Sequence, residues 1–305
     1  MHHHHHHHHH HPTTYGSAFA IGIALNVAYI LAEVIWGVWA HSLSLLSDAG
    51  HNLSDVLGLG GAWLAQHLAA RAPSARFTYG LRRSTILSAL GNAVLLLLVT
   101  GGIVWEAVQR LVHPAPVAGM TVMVVAFAGI VINGATALLL MRDSHHDLNM
   151  RGAFLHMASD ALMSFAVVVT GLVIMLTRWT VLDPIVSLVV SGVIVWGTWS
   201  LLRKSLDMAL DAVPARIDPA AVDTALRGLT GVADVHHLHI WSLSTTETAL
   251  TVHLVVDESL TTDNALLHTA THMLMHQFDI AHPTFQVERG HCATHASDVC
   301  AVPHA

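Results

Sequence analysis

Charge is scarce in this chain. Asp, Glu, Lys and Arg make up 11% of its 305 residues, against about 25% in soluble domains, so a wholly water-exposed fold is excluded. Cysteine is nearly absent: Cys292 and Cys300 both fall in the last fifteen residues, and no disulfide framework can hold the body together. Basic excess is missing too. A formal charge of -7 leaves no cationic surface for nucleic acid, and no Gly-rich phosphate loop, dinucleotide fingerprint or HExxH motif is found.

What is present is apolar: 53% of residues are hydrophobic, the composition of a membrane protein. The opening "MHHHHHHHHHHP" (residues 1–12) reads as an affinity tag and is set aside. It holds ten of the 28 histidines, so eighteen belong to the rest.

Runs of about 20 apolar residues lie near Ser17–Ala40, Leu43–Leu68, Ser84–Arg110, Val117–Met141, Gly152–Leu176 and Val181–Leu202. These predict a six-helix transmembrane bundle over residues 13–205. Arg71, Arg76, Arg82, Arg83, Arg142, Arg151, Arg203 and Lys204 fall on one side and only Arg110 and Arg178 on the other. The positive-inside rule then puts both termini in the cytoplasm.

Residues 206–290 have the composition of a soluble domain. "PAAVDTALRGLTG" reads as a helix closed by glycine, "ADVHHLHIWSL" and "TALTVHLVVD" alternate like strands, "TDNALLHTATHMLMHQFD" has helical spacing, and "HPTFQVE" is a last strand. The order α-β-β-α-β predicts a small two-layer α+β domain. Residues 291–305 form a His/Cys-containing tail.

The polar residues inside the apolar runs carry the chemistry. "HNLSD" (His51 to Asp55) and "HMASD" (His156 to Asp160) each set a histidine four residues before an aspartate, on one helical face. A charge at mid-bilayer costs about 2.5 to 3.5 kcal/mol, so such residues face a bundle interior and serve ligation or transport. At 1.5 Å per residue, the first pair lies roughly 12 to 18 Å below the outer surface and the second roughly 16 to 22 Å. Overlapping depths let both pairs share one ion.

Two imidazoles and two carboxylates suit tetrahedral Zn²⁺, and Co²⁺, Ni²⁺ and Cd²⁺ remain compatible. A bracing contact between helices is the competing explanation for each pair, and two matched pairs at overlapping depth weigh toward a site. Asp48 shares the face nearer the outer end, where capping or a vestibule role is expected. Glu33, Asn26 and Asn133 are assigned to helix packing, and His67 to the interface.

"SLSLLSDAGHNLSD", "AFLHMASDAL", "HHLHIW" and "TFQVE" together resemble the cation diffusion facilitators, in particular their zinc-type bacterial members. The resemblance implies a homodimeric Zn²⁺ exporter of the bacterial inner membrane, a ferredoxin-like cytoplasmic domain, and exchange of metal for protons. His51, Asp55, His156 and Asp160 match its transport site. His236 and His253 match its metal-binding strands, with His282 and Glu288 flanking the last strand, a regulatory zinc site across a dimer or else ordinary surface.

Some members carry an acid and histidine cluster after the second span. Here "RAPSARFTYGLRRST" has neither, so no metal is expected there. His268, His272 and His276 repeat every four residues, as a solvated helix face or a chelating ladder would. Cys292 and Cys300, with His295, supply further zinc ligands in the tail. Two other readings use the same residues: a membrane metalloenzyme, which lacks an evident general base, and an anchored zinc sensor, which has no need of mid-bilayer ligands.

Overall fold

The computed structural model describes residues 16–141, 148–257 and 263–289, with side chains at 27–138, 141, 154–257 and 264–289. Six helices come first: α1 (Gly16–Trp39), α2 (Leu43–Ala69), α3 (Ser84–Val112), α4 (Gly119–Met141), α5 (Leu148–Thr177) and α6 (Leu182–Ala209). They occupy the six apolar runs, and among the described residues four have both the length and the composition to cross a membrane: α3, Gly119–Leu138 of α4, Phe154–Thr177 of α5, and α6. Among described residues α1 adds a shorter apolar stretch, Val27–Trp39.

The second run, α2, expected to carry Asp48, His51 and Asp55, is the most polar of the six. That helix carries Ser44, Ser47, Asp48, Asn52 and Ser54 as buried side chains, so its polarity is turned toward protein. Many large apolar side chains of this region are exposed, among them Trp63, Leu98, Leu162, Val189 and Trp196. A surface of that kind is stable only against hydrocarbon, and the protein is a multi-pass membrane protein.

The chain divides into two compact units, Met1–Leu57 with Leu95–Gly197, and Gly58–Val94 with Thr198–Ala305. In the first, Ala40, Leu45, Val122, Val125, Ala126 and Val167 pack into one cluster. Helices α4 and α5 approach closely because each places a glycine at the crossing. A Cβ on Gly119 would lie 2.7 Å from the Gly171 carbonyl oxygen, and one on Gly171 would lie 2.8 Å from that of Gly119.

In the second unit, α7 (Pro219–Arg227), β1 (Val232–Ser242), β2 (Thr248–Val256), α8 (Asp263–Phe278) and β3 (His282–Arg289) follow the predicted order. Asp218 caps α7 by accepting the Ala220 amide at 3.0 Å, and Pro219 starts the helix. The sheet order is β1-β2-β3, antiparallel then parallel. Leu250, Val252 and Leu254 join Val222, Leu226, Ala270 and Leu274 in the core. Strand alternation sends His253 to the opposite face.

Candidate metal sites

Helix α2 begins at a built anion. Asp183, in the first turn of α6 and fully buried, accepts the Leu43 amide at 2.7 Å, the Ser44 amide at 3.3 Å and the hydroxyls of Ser42 and Ser44 at 2.7 and 2.6 Å. A helix start leaves four amides unpaired and carries partial positive charge, and a carboxylate satisfies both. "LDPIV" reads as the start of its own helix, so only the fold reveals that Asp183 caps another one.

Two turns into α2, His51 and Asp55 face His156 and Asp160 of α5. The His51 Nε2 atom lies 3.7 Å from Asp55 Oδ2 and 3.5 Å from Asp160 Oδ1. The His156 Nε2 atom lies 3.2 Å from Asp55 Oδ2 and 3.6 Å from Asp160 Oδ2. Neighbouring ligands of a tetrahedral ion bound at 2.0 to 2.1 Å sit roughly 3.3 Å apart. The four spacings bracket that edge length.

His51, His156 and Asp160 offer ligand atoms all within 4.8 Å of one another. Asp55 completes the ring through Oδ2, which is buried and accepts no hydrogen bond among the described residues. A buried acceptor without a donor is costly, and a cation at the centre removes that cost. Exposure is uneven: the Asp160 side chain is 3% exposed, His156 42%. The ring is closed behind Asp160 and open beside His156.

Asp48 is neither a cap nor a vestibule residue. It is 1% exposed and takes the Ser164 hydroxyl at 3.2 Å, while Glu33 is buried against it and receives the Asn52 amide group at 3.1 Å. Asn133 is buried, and the side chain of Asn26 lies outside the described residues.

In the α+β domain, His236 and His253 are directly paired across β1 and β2. Glu288 on β3 bridges them, with Oε2 3.1 Å from His236 Nε2 and Oε1 2.8 Å from His253 Nδ1. One chain thus assembles these three groups without a partner. The sequence reading missed His237. An irregularity in β1 between His236 and His239, with His237 at φ 51°, brings its ring to 5.1 Å from His236 and 4.9 Å from His253. Consecutive strand residues normally point to opposite faces, and a bulge overrides this.

His282 does not join the cluster. It opens β3 beside Ala249, six residues from Glu288 and so about 20 Å away along the strand, and its Nε2 meets Arg82 at 2.6 Å. Arg82 also donates to Glu247 at 2.7 Å. Cys292 and Cys300 lie outside the described residues. His268, His272 and His276 are exposed on α8, with the last two rings 4.2 Å apart. His67 is exposed and stacks on Trp63.

Apolar spans around a ring of two imidazoles and two carboxylates, followed by an αββαβ domain bearing a second His/Glu cluster, define a membrane transporter for divalent metal. The chain belongs to the cation efflux family, whose transmembrane domain matches residues 19–208 and whose cytoplasmic domain matches residues 214–290.

Among its relatives, the zinc transporter ZitB of Pectobacterium atrosepticum is 36% identical over 88% of this chain and 84% of its own. The metal cation efflux system protein CzcD of Cupriavidus metallidurans is 36% identical over 89% and 86%. The cadmium, cobalt and zinc/H(+)-K(+) antiporter of Bacillus subtilis is 33% identical over 88% and 87%. Family membership makes the chain a transporter rather than an enzyme.

Proposed function

We propose that this protein exports Zn²⁺ from the cytoplasm in exchange for protons, with His51, Asp55, His156 and Asp160 as the ligands of the ion in transit. The observation that carries this is the set of four nitrogen–oxygen spacings, 3.2 to 3.7 Å, which fits one tetrahedral N2O2 ion. Two carboxylates neutralise the dication, and the imidazoles favour zinc, cobalt, nickel or cadmium over magnesium or calcium. The names of the relatives support zinc first.

Coupling follows from ligand chemistry. An imidazole binds metal only through an unprotonated nitrogen, so Zn²⁺ and H⁺ compete for His51 and His156. A site opened alternately to the two sides of the membrane then lets the proton gradient drive metal out. Residues 13–205 make the transport domain, and residues 206–290 a cytoplasmic metal-binding and dimerisation domain of a homodimer. The arginine distribution supports cytoplasmic termini, in a bacterial inner membrane. Zinc at His236, His253 and Glu288 acts as a regulatory ligand.

The test is zinc flux into proteoliposomes with an imposed pH gradient at clamped voltage. Wild-type protein should follow the gradient and Asp160→Ala should carry no zinc. Flux indifferent to the gradient removes the antiport, and near-normal flux by a folded Asp160→Ala chain removes the site.

A further inference from the structure

Beside the four-residue ring, α1 and α2 bury a second pair of acids that the metal has no use for. Glu33 is fully buried and Asp48 is 1% exposed, and their carboxyl groups adjoin one another. Each has one oxygen satisfied: Asn52 donates to Glu33 Oε2 at 3.1 Å and Ser164 to Asp48 Oδ2 at 3.2 Å. The other two, Glu33 Oε1 and Asp48 Oδ1, receive no hydrogen bond among the described residues.

The groups facing this pair come from three helices. Tyr29 lies on α1 beside Glu33, Asn52 and then His51 on α2, and Ser164 and then Asp160 on α5. No arginine or lysine is among them. The Tyr29 hydroxyl fits because α4 offers Gly129, where a Cβ would lie 2.0 Å from the phenol oxygen and 2.8 Å from Ser164 Oγ.

Two adjoining carboxylates out of water, with no arginine or lysine beside them, are strongly disfavoured from both being ionised. A single proton between Glu33 and Asp48 halves the charge and supplies a second donor, since the Tyr29 hydroxyl beside Glu33, unpartnered among the described residues, can satisfy only one of the two orphaned oxygens. Asp48 stands three residues before His51 on α2, about 4.5 Å along the helix axis. A dication in the ring therefore acts strongly on the pair, because Glu33, Asp48 and Asp160 are all buried away from water.

We propose that Glu33 and Asp48 share a proton that leaves when a divalent cation enters the ring of His51, Asp55, His156 and Asp160, and returns when it departs. The step balances as one carboxylic acid and one carboxylate becoming two carboxylates, with H⁺ passing to water on the side to which the ring is open. This rests on the metal-site reading above and adds a proton carrier that does not touch the metal.

The experiment counts protons released per zinc bound, with a pH indicator in weakly buffered detergent solution. It uses the chain freed of the residue 1–12 tag and carrying His236→Ala, His253→Ala, Cys292→Ser and Cys300→Ser, so that neither the cytoplasmic cluster nor the tail thiols take part. Adding Glu33→Gln should leave zinc stoichiometry unchanged while about one proton fewer is released per ion. An undiminished proton count overturns the proposal, and so does loss of zinc binding, which would make Glu33 part of the metal-holding structure. Infrared difference spectra with and without zinc give a readout free of the Glu33 variant. A protonated-carboxyl band should vanish on zinc addition, and its absence from the metal-free spectrum overturns the shared proton. Zinc binding by Asp160→Ala at wild-type affinity instead removes the metal-site reading, and the proposal with it.

Discussion

The Asp55 carboxylate lies nearer to His156 on α5, at 3.2 Å, than to His51 one turn earlier on its own helix, at 3.7 Å. Each half of the ring is thus completed across the helix boundary. On the proposed reading, a shift of α2 against α5 would change the coordination of the ion directly, as a carrier with alternating access requires.

Asp55→Ala and Asp160→Ala should each reduce zinc flux in vesicles by more than the roughly 10- to 100-fold typical of losing an outer partner of a ligand. Size-exclusion profiles should remain those of folded protein. Asp160→Asn separates charge from shape, and should fail as completely as alanine, because an amide cannot neutralise the dication.

Replacing His51 by Asp turns an N2O2 set into NO3. Oxygen ligands suit larger or harder ions and tolerate irregular geometry. The flux ratio of Cd²⁺ or Mn²⁺ to Zn²⁺, measured in the same vesicles, should rise, and an unchanged ratio would place selectivity elsewhere.

Asp183→Ala takes the side-chain acceptor from two amides and two hydroxyls at the buried start of α2. Loss of an N-cap alone costs about 0.5 to 2 kcal/mol, and burial raises this. Thermal unfolding in detergent should begin several degrees lower. Wild-type stability of this variant would show that the cap contributes nothing.

The cytoplasmic cluster should behave as a separate site. His236→Ala should leave zinc flux present and shift the metal concentration for half-maximal activity. His237→Ala should weaken zinc binding at the cluster, whereas His282→Ala should not, since His282 faces Arg82. Equilibrium dialysis of the full chain distinguishes the three, and a complete loss of flux in His236→Ala would contradict a regulatory role.

Asp234 is held below the ordinary carboxylate range by the Arg227 guanidinium that bonds to it. A lowered acid stabilises the fold above its unfolded value and loses that effect as pH falls through the lowered one. Both side chains are nearly half exposed, so Asp234→Asn should cost under about 1 kcal/mol at neutral pH. The gap to wild type should close in acid, as followed by circular dichroism of the domain's melting.

The sequence by itself determined the elements and the chemistry of the ring. Apolar runs of membrane length mark α1 to α6 because hydrocarbon tolerates only helices there. An i, i+4 spacing places His51 with Asp55 and His156 with Asp160 because a helix turns every 3.6 residues. Those are local rules, and α2 already departs from them, since its polarity becomes intelligible only beside the helices that bury it. The tertiary structure alone decided what depends on rotation and register between elements. It set Asp55 against His156, made Asp183 the cap of a helix 140 residues distant, and pressed Glu33 on Asp48. It swung His237 onto the face of His236 through a bulge, and it carried His282 away to Arg82. A side chain's partner on another element follows from how the two surfaces pack, and packing is a property of the whole chain at once.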